Sequence, residues 1–148
     1  QGARDTRYLS LDGLQGVVVD DSEARLSGLW KESQVRAGVH RGYLHDGALG
    51  DGSCSALFSA ELEPGSYTVQ VAYTAHPNRA TNVPIEVRCG GEVWRFALNQ
   101  RRAPADGAAF ETLGVLRLSG ASEAAIRNTA TDGHVIVDAV RFLPGTAR

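Results

Sequence analysis

The chain has no methionine, only two cysteines, and aromatic residues at just 7% of its 148 positions. Cys54 and Cys89 lack C-x2-C spacing, which excludes a zinc knuckle or thioredoxin motif and leaves either one disulfide or two core thiols. Basic residues are not in surplus. With 15 Lys and Arg against 17 Asp and Glu, and no Lys/Arg block, the surface is not one that coats nucleic acid, so no nucleic-acid partner is expected. A run of about 18 apolar residues is also missing, so no membrane partner is expected. The opening Gln1-Gly2-Ala3-Arg4-Asp5 has none of the character of a signal peptide, and the absent initiator Met leads us to expect a processed or excised piece. Catalytic spacings are missing too: there is no H-E-x-x-H, G-x-S-x-G, Walker loop or G-x-G-x-x-G, so no enzyme is expected.

A chain of this length buries roughly two thirds of its unfolded surface, enough for one domain with a real core. Its hydrophobic pattern has period two. Cys54, Ala56, Phe58, Ala60 and Leu62 share one face, and Tyr67, Val69, Val71 and Tyr73 share another. Between them Glu63-Pro64-Gly65-Ser66 has the Pro-Gly pair of a type II turn, so these two strands are expected to form a hairpin. Val83, Ile85, Val87 and Cys89, then Gly90-Gly91, then Trp94, Phe96 and Leu98 predict a second hairpin. Pro84 places its strand's start or an edge there.

Further strands are expected over 16–20, 25–30, 110–118, 123–128 and 134–143, about nine in all. No apolar i, i+3, i+4, i+7 stripe persists, so the fold class is all-β, an antiparallel sandwich of jelly-roll type with little helix. Trp30 and Trp94 fit inward phases and are expected in the core. The domain is placed at 16–144, with an arm or linker at 1–15 carrying Tyr8, Leu9, Leu11 and Leu14, and a tail at 145–148.

Three motifs stand out together: Asn78-Arg79-Ala80-Thr81-Asn82-Val83-Pro84, Leu98-Asn99-Gln100, and the run from Thr131-Asp132-Gly133-His134 through Val137-Asp138-Ala139-Val140-Arg141-Phe142. Their order and spacing resemble the golvesin C-terminal-like domain, also described as the xanthan lyase carbohydrate-binding-like domain. Gly28-Leu29-Trp30, Gly42-Tyr43, Pro64-Gly65-Ser66-Tyr67 and Leu113-Gly114 extend the likeness over 16–144. The wording of Tyr43-Leu44-His45-Asp46 and 78–82 is closest to copies attached to planctomycete FAD-dependent oxidoreductases. The resemblance implies a bacterial, non-catalytic accessory module on a parent enzyme, either such an oxidoreductase or a polysaccharide lyase. A secreted, periplasmic or cell-surface setting is expected.

The expected ligand is a polysaccharide, bound through loops at one end of the sandwich. Tyr43 is the candidate stacking face, with His45 and Asp46 bonding sugar hydroxyls. Asn78, Thr81 and Asn82 supply amide and hydroxyl partners. Arg79 can grip a carboxylate, which favours an acidic glycan if its side chain is free. Against this, loop Asn, Thr and Arg also bond local backbone, and a Tyr here can simply pack on the core rim. Asp138 shares a phase with Ile136, Val140 and Phe142, so its carboxylate needs partners if it points inward. It is expected to anchor the 78–82 loop, although the opposite phase is equally apolar and a bulge could turn it outward.

No cofactor is expected and no metal ligand is assigned. Even so, Asp20-Asp21 and Glu23 with Asp132 or Asp138 could offer oxygen ligands to a structural calcium ion. His40, His45, His76 and His134 are expected to face solvent for the most part. The competing expectation is an assembly domain that packs an apolar face on its parent enzyme and touches no sugar.

Overall fold

The computed structural model describes residues 14–33, 39, 42–105 and 109–145. Tyr8, Leu9, Leu11, His40 and the end of the tail lie outside them. Among the described residues ten strands follow one another: β1 (Val17–Asp20), β2 (Arg25–Ser27), β3 (Lys31–Glu32), β4 (Leu44–His45), β5 (Asp51–Ala72), β6 (Val83–Cys89), β7 (Glu92–Leu98), β8 (Phe110–Thr129), β9 (Ile136–Val137) and β10 (Ala139–Pro144). The described residues contain no α-helix; one 3-10 turn, Asp21–Glu23, follows β1. No helix among them is long and apolar enough to cross a membrane.

Two long strands organise the molecule. β5 and β8 pair antiparallel along their whole length, and this ribbon has different neighbours at its two ends. The first part of β5 takes β2 on its free edge, while β6 and then β7 extend the sheet from the last part of β8. The last part of β5 takes β10 and then β1. The hydrogen-bonded order is therefore β1-β10-β5-β8-β6-β7, with β2 also on β5, and β3-β4-β9 form a separate small sheet. Phe58 and Ile126 from one end pack in the same core as Val69, Val140 and Phe142 from the other, which makes a β-sandwich. Each fully buried Phe contributes roughly 1.5–3 kcal/mol of apolar transfer.

The Gly90-Gly91 hairpin forms as the alternation predicts, with Cys89 opposite Glu92, Gly90 at φ +60° and Val83, Ile85 and Val87 buried. Pro84 lies ahead of the pairing with β8, which begins at Ile85. The expected hairpin at 63–66 is corrected, because the chain does not reverse there. Leu62 faces Gly120 and Gly65 faces Leu118, so Glu63 and Pro64 bulge against the single residue Ser119 within one continuous strand. A bulge tolerates a residue without an amide hydrogen and increases twist, so a Pro-Gly pair suits it as well as a turn. The separate strands expected at 110–118 and 123–128 merge into β8, which stays paired with β5 on both sides of that bulge.

The single strand expected over 134–143 divides at Asp138, between β9 in the small sheet and β10 in the large one. Both of its phases are covered, since Val135 through Val140 are all buried. Ala139 joins Val39, Ala72, Ala109 and Phe110 in a second apolar cluster. Trp30 and Trp94 are half-buried against the core rather than inside it, and the Trp30 indole N–H donates to Ser55 O at 3.0 Å. Cys54 and Cys89 are free thiols, the first buried and the second half-buried beside the hairpin.

Candidate functional site

Polar residues distant in sequence meet where β4 passes the loop between β5 and β6. In the small sheet His45 pairs with Lys31 on one side and Ile136 on the other. The segment before β9 runs parallel to the β5–β6 loop, bridging His134 with Arg79. His134 N donates to Asn78 O at 2.9 Å, and Ala80 N donates to His134 O at 2.8 Å. Gly133 makes this approach possible, since a Cβ there would lie 2.6 Å from Arg79 O.

The result is a cleft of about 430 Å³ lined by Ser33, Tyr43, His45, Thr74, Ala75, His76, Asn78, Arg79 and His134. Arg79 is 8% exposed at its base. Its Nε donates to Thr74 O at 2.8 Å, Nη1 to Asn78 Oδ1 at 2.7 Å, and Nη2 to Thr74 Oγ1 at 3.1 Å and Tyr43 Oη at 3.2 Å. Arg101 Nε clamps the Arg79 carbonyl at 2.6 Å. The guanidinium carbon also stands 5.5 Å from the Tyr43 ring centroid. Burial raises the Tyr43 phenol pKa, but hydrogen bonds with Ser33 and Thr74 and the Arg79 charge outweigh it, leaving it below the ordinary value.

The imidazoles form the walls. His45 and His134 meet edge to face with ring centroids 5.4 Å apart. His45 Nδ1 accepts from Gly47 N at 3.1 Å, and His76 Nδ1 from Asn78 N at 3.2 Å. Burial, then the neighbouring His134 and Lys31, hold the His45 pKa below the usual imidazole range. A set of amide, imidazole, hydroxyl and guanidinium groups around one hollow is suited to hydrogen bonding a hydroxylated ligand. A second hollow of about 540 Å³ beside Cys89 is lined by Glu61, Arg88 and Glu123 among others, and by none of the sequence-predicted site residues.

The match with known sequences agrees with this architecture: the Golvesin C-terminal domain family model aligns with residues 17–144. The chain belongs to that family. A xanthan lyase from Bacillus sp. (strain GL1) is 33% identical over 138 residues, which is 88% of this chain and 15% of that protein. Among solved structures, Paenibacillus xanthan lyase superposes with a TM-score of 0.80 at 29% identity, over 89% of this chain and 13% of that one. The Podospora anserina GH26-CBM35 β-(1,4)-mannanase matches with a TM-score of 0.62 at 18% identity over 91% of this chain and 29% of its own, a likeness of fold. The chain thus spans a small part of the relatives it matches.

Within this Golvesin C-terminal domain the seven candidate ligand residues separate. Tyr43, His45, Asn78 and Arg79 line the cleft, whereas Asp46, Thr81 and Asn82 do not. Tyr43 is 6% exposed with Arg79 near its ring, so the expected stacking face is covered. Asp46 is corrected from ligand contact to interior brace. It is fully buried, with Oδ1 accepting from Ala48 N and Val135 N, each at 2.9 Å, and Oδ2 from Asn128 Nδ2 at 2.9 Å. Asn128 Oδ1 in turn accepts from Cys54 N at 3.0 Å.

Thr81 and Asn82 grip the turn after β8. Thr81 N and Oγ1 donate to the Asp132 carboxylate at 2.7 and 2.5 Å, and Asn82 Nδ2 donates to Ala130 O at 3.0 Å. Asp138 is also corrected in its partner. Its Oδ2 accepts from Val39 N at 2.9 Å, and the 78–82 loop is held by Asp132, His134 and Arg101 instead.

Asp20 and Asp21 do approach Asp138, while Asp132 lies at the cleft end. Burial, then the neighbouring carboxylates, raise the Asp138 pKa well above the ordinary value, and the same causes bring Asp21 to about 8. One oxygen each of Asp20 and Asp138 is buried without a hydrogen-bond partner. Among the described residues no group of three or more His, Cys, Asp or Glu is arranged to hold a metal ion.

The sequence pattern does not single out Thr74, His76 and His134 as parts of one site, yet all three line the cleft with His45. The spacing of His76 and Asn78 around a loop carries no periodic signal. His134 was visible only as a member of a motif. Gln100 was likewise noted without a role; its amide exchanges two hydrogen bonds with the Ile136 backbone, at 2.9 and 2.8 Å, and so holds β9 in place behind the cleft.

Proposed function

We propose that this chain is a non-catalytic accessory module of a larger carbohydrate-active protein, working outside the cytoplasm, and that it holds polysaccharide through the cleft above Arg79. The observation that carries this reading is the convergence of Arg79, Asn78, His45, His76 and His134 from three separate segments on one open hollow. A relative, a xanthan lyase, and a protein that shares the fold, a β-(1,4)-mannanase, are named for polysaccharide chemistry. Recognition works by hydrogen bonds from the Asn78 amide and the imidazole edges to sugar hydroxyls, with imidazole faces in place of a Tyr platform. A shallow contact of this kind is weak alone and gains from a multidomain host that keeps an enzyme near its substrate.

Affinity electrophoresis of the chain through gels containing a panel of neutral and anionic polysaccharides tests the reading. Retardation by at least one of them, reduced by Asn78→Ala, is the expected result, with no release of reducing ends. Mobility unchanged across the whole panel refutes it. One observation favours the assembly reading: Leu29 is 76% exposed and Leu49 51% exposed, both outside the cleft lining. A domain that packs on its parent enzyme through these side chains would lose that contact on Leu29→Ser while Asn78→Ala left it intact.

A further inference from the structure

The cleft holds a buried cation, Arg79, with no carboxylate in its lining to meet it. Its lining contributes Arg79, His45, His76 and His134 and no Asp or Glu. The hydrogen bonds of the Arg79 guanidinium end on the Thr74 carbonyl and hydroxyl, the Asn78 amide oxygen and the Tyr43 hydroxyl, all uncharged acceptors. No carboxylate among the described residues pairs with it. Asp46 follows His45 in sequence, but its oxygens are turned inward onto Ala48 N, Val135 N and Asn128 Nδ2.

A buried carboxyl can relieve its burial by taking up a proton. A guanidinium in a protein cannot shed one. A buried charge lacking a counter-ion is costly to the fold, and here the compensation available to Arg79 is an anion entering from solvent. Of the five N–H donors on a guanidinium, the four contacts to Thr74, Asn78 and Tyr43 leave one unassigned. The surrounding field has the same sign, since His134, Lys31 on β3 and Arg79 all push against protonation of His45, with Asp46 the single opposing group.

We infer that the cleft selects a saccharide bearing a carboxylate, such as a uronate, over its neutral counterpart, an inference that rests on the polysaccharide reading above. The sugar carboxylate lies against the Arg79 guanidinium and the imidazole edges, while its hydroxyls take the Asn78 amide. Added salt screens the attraction between the sugar carboxylate and the Arg79 guanidinium and weakens the complex.

The test titrates oligomers of glucuronate, galacturonate and mannuronate into the chain by calorimetry, each beside its carboxyl-reduced form, at low and at high salt. At least one acidic oligomer is expected to bind about tenfold or more tighter than its reduced form, with the gap narrowing as salt is added. The comparison of acidic and reduced forms on the parent chain is the informative one, because Arg79→Gln also removes the braces on Thr74 and Tyr43 and can unfold the loop. Equal binding of acidic and reduced forms overturns the inference and leaves the polysaccharide reading standing. Silence from both sets overturns the two together.

Discussion

Asp46 closes a buried polar junction whose energetics can be worked bond by bond. Its carboxylate accepts from Ala48 N, Val135 N and Asn128 Nδ2, joining the turn after β4, the approach to β9 and the end of β8. Asp46→Ala leaves two donors, Val135 N and Asn128 Nδ2, buried and unanswered, while Ala48 N belongs to an exposed residue that water can reach. An orphaned buried donor costs about 1–3 kcal/mol, so, allowing for relaxation, the expected loss is about 2–4 kcal/mol. Native domains hold about 5–15 kcal/mol in total.

Asp46→Asn keeps one acceptor oxygen for the two backbone amides but faces its NH2 toward the NH2 of Asn128. One bond is lost, at about 1–3 kcal/mol. The double swap Asp46→Asn with Asn128→Asp exchanges the two side chains and restores every bond of the junction. The carboxylate, now on β8, accepts from Cys54 N and from the side-chain amide introduced after β4, while the oxygen of that amide keeps Ala48 N and Val135 N. Its stability should return to within about 1 kcal/mol of the parent. Urea unfolding reads these differences as midpoint shifts at constant slope. An alanine variant that melts like the parent, or a swap no better than Asp46→Ala, refutes the reasoning.

Three further outcomes are expected. Asp138 and Asp21, the latter at about 8, have folded pKa values above the ordinary 3.8, so the folded state holds extra protons between those limits. Their contribution to stability is complete below the unfolded pKa and is lost as pH rises through the folded one. The melting temperature should therefore fall from about pH 5 to about pH 8, and Asp138→Asn, which keeps an acceptor for Val39 N, should flatten the slope; a melting temperature that rises over this window contradicts the assignment. Gly133→Ala would force a methyl group to within 2.6 Å of Arg79 O and 2.8 Å of Asn78 O. It should cost about 1–3 kcal/mol in thermal unfolding and abolish ligand retention, whereas an unchanged melting curve would show that the two segments do not touch. Cys89 is half-buried and Cys54 fully buried, so a thiol reagent should titrate one group in the native chain and the second only in denaturant. Two groups titrating at once, or none, would contradict this arrangement.

The strand phases were legible because they rest on neighbours two residues apart. Val83, Ile85 and Val87 point inward as read, and Gly90-Gly91 turns the chain. Pro64-Gly65 misled because the same dipeptide serves a hairpin turn and a bulge, and only the register of β5 against β8 distinguishes them. The polar loop residues were legible as a set but not one by one. Arg79, Thr81 and Asn82 lie within four positions of each other, yet the first lines the cleft while the others bind the turn at Ala130 and Asp132. Tyr43 reads as a platform in sequence, but Arg79 stands beside its ring, and nothing local to Tyr43 announces that neighbour.

By itself the sequence determined the strand alternation, the absence of a helical core among the described residues and membership of the Golvesin C-terminal domain family, since side-chain period and motif spacing are properties of the chain as written. The tertiary structure alone decided that Asp46 braces the interior, that Asp138 holds Val39, and that His76 and His134 join Arg79 around one hollow. The reason is physical. Apolar residues are sorted by a local period, but each buried polar group must find a particular partner, and here those partners lie far away in sequence, 89 positions for Asp46 and Val135 and 99 for Val39 and Asp138.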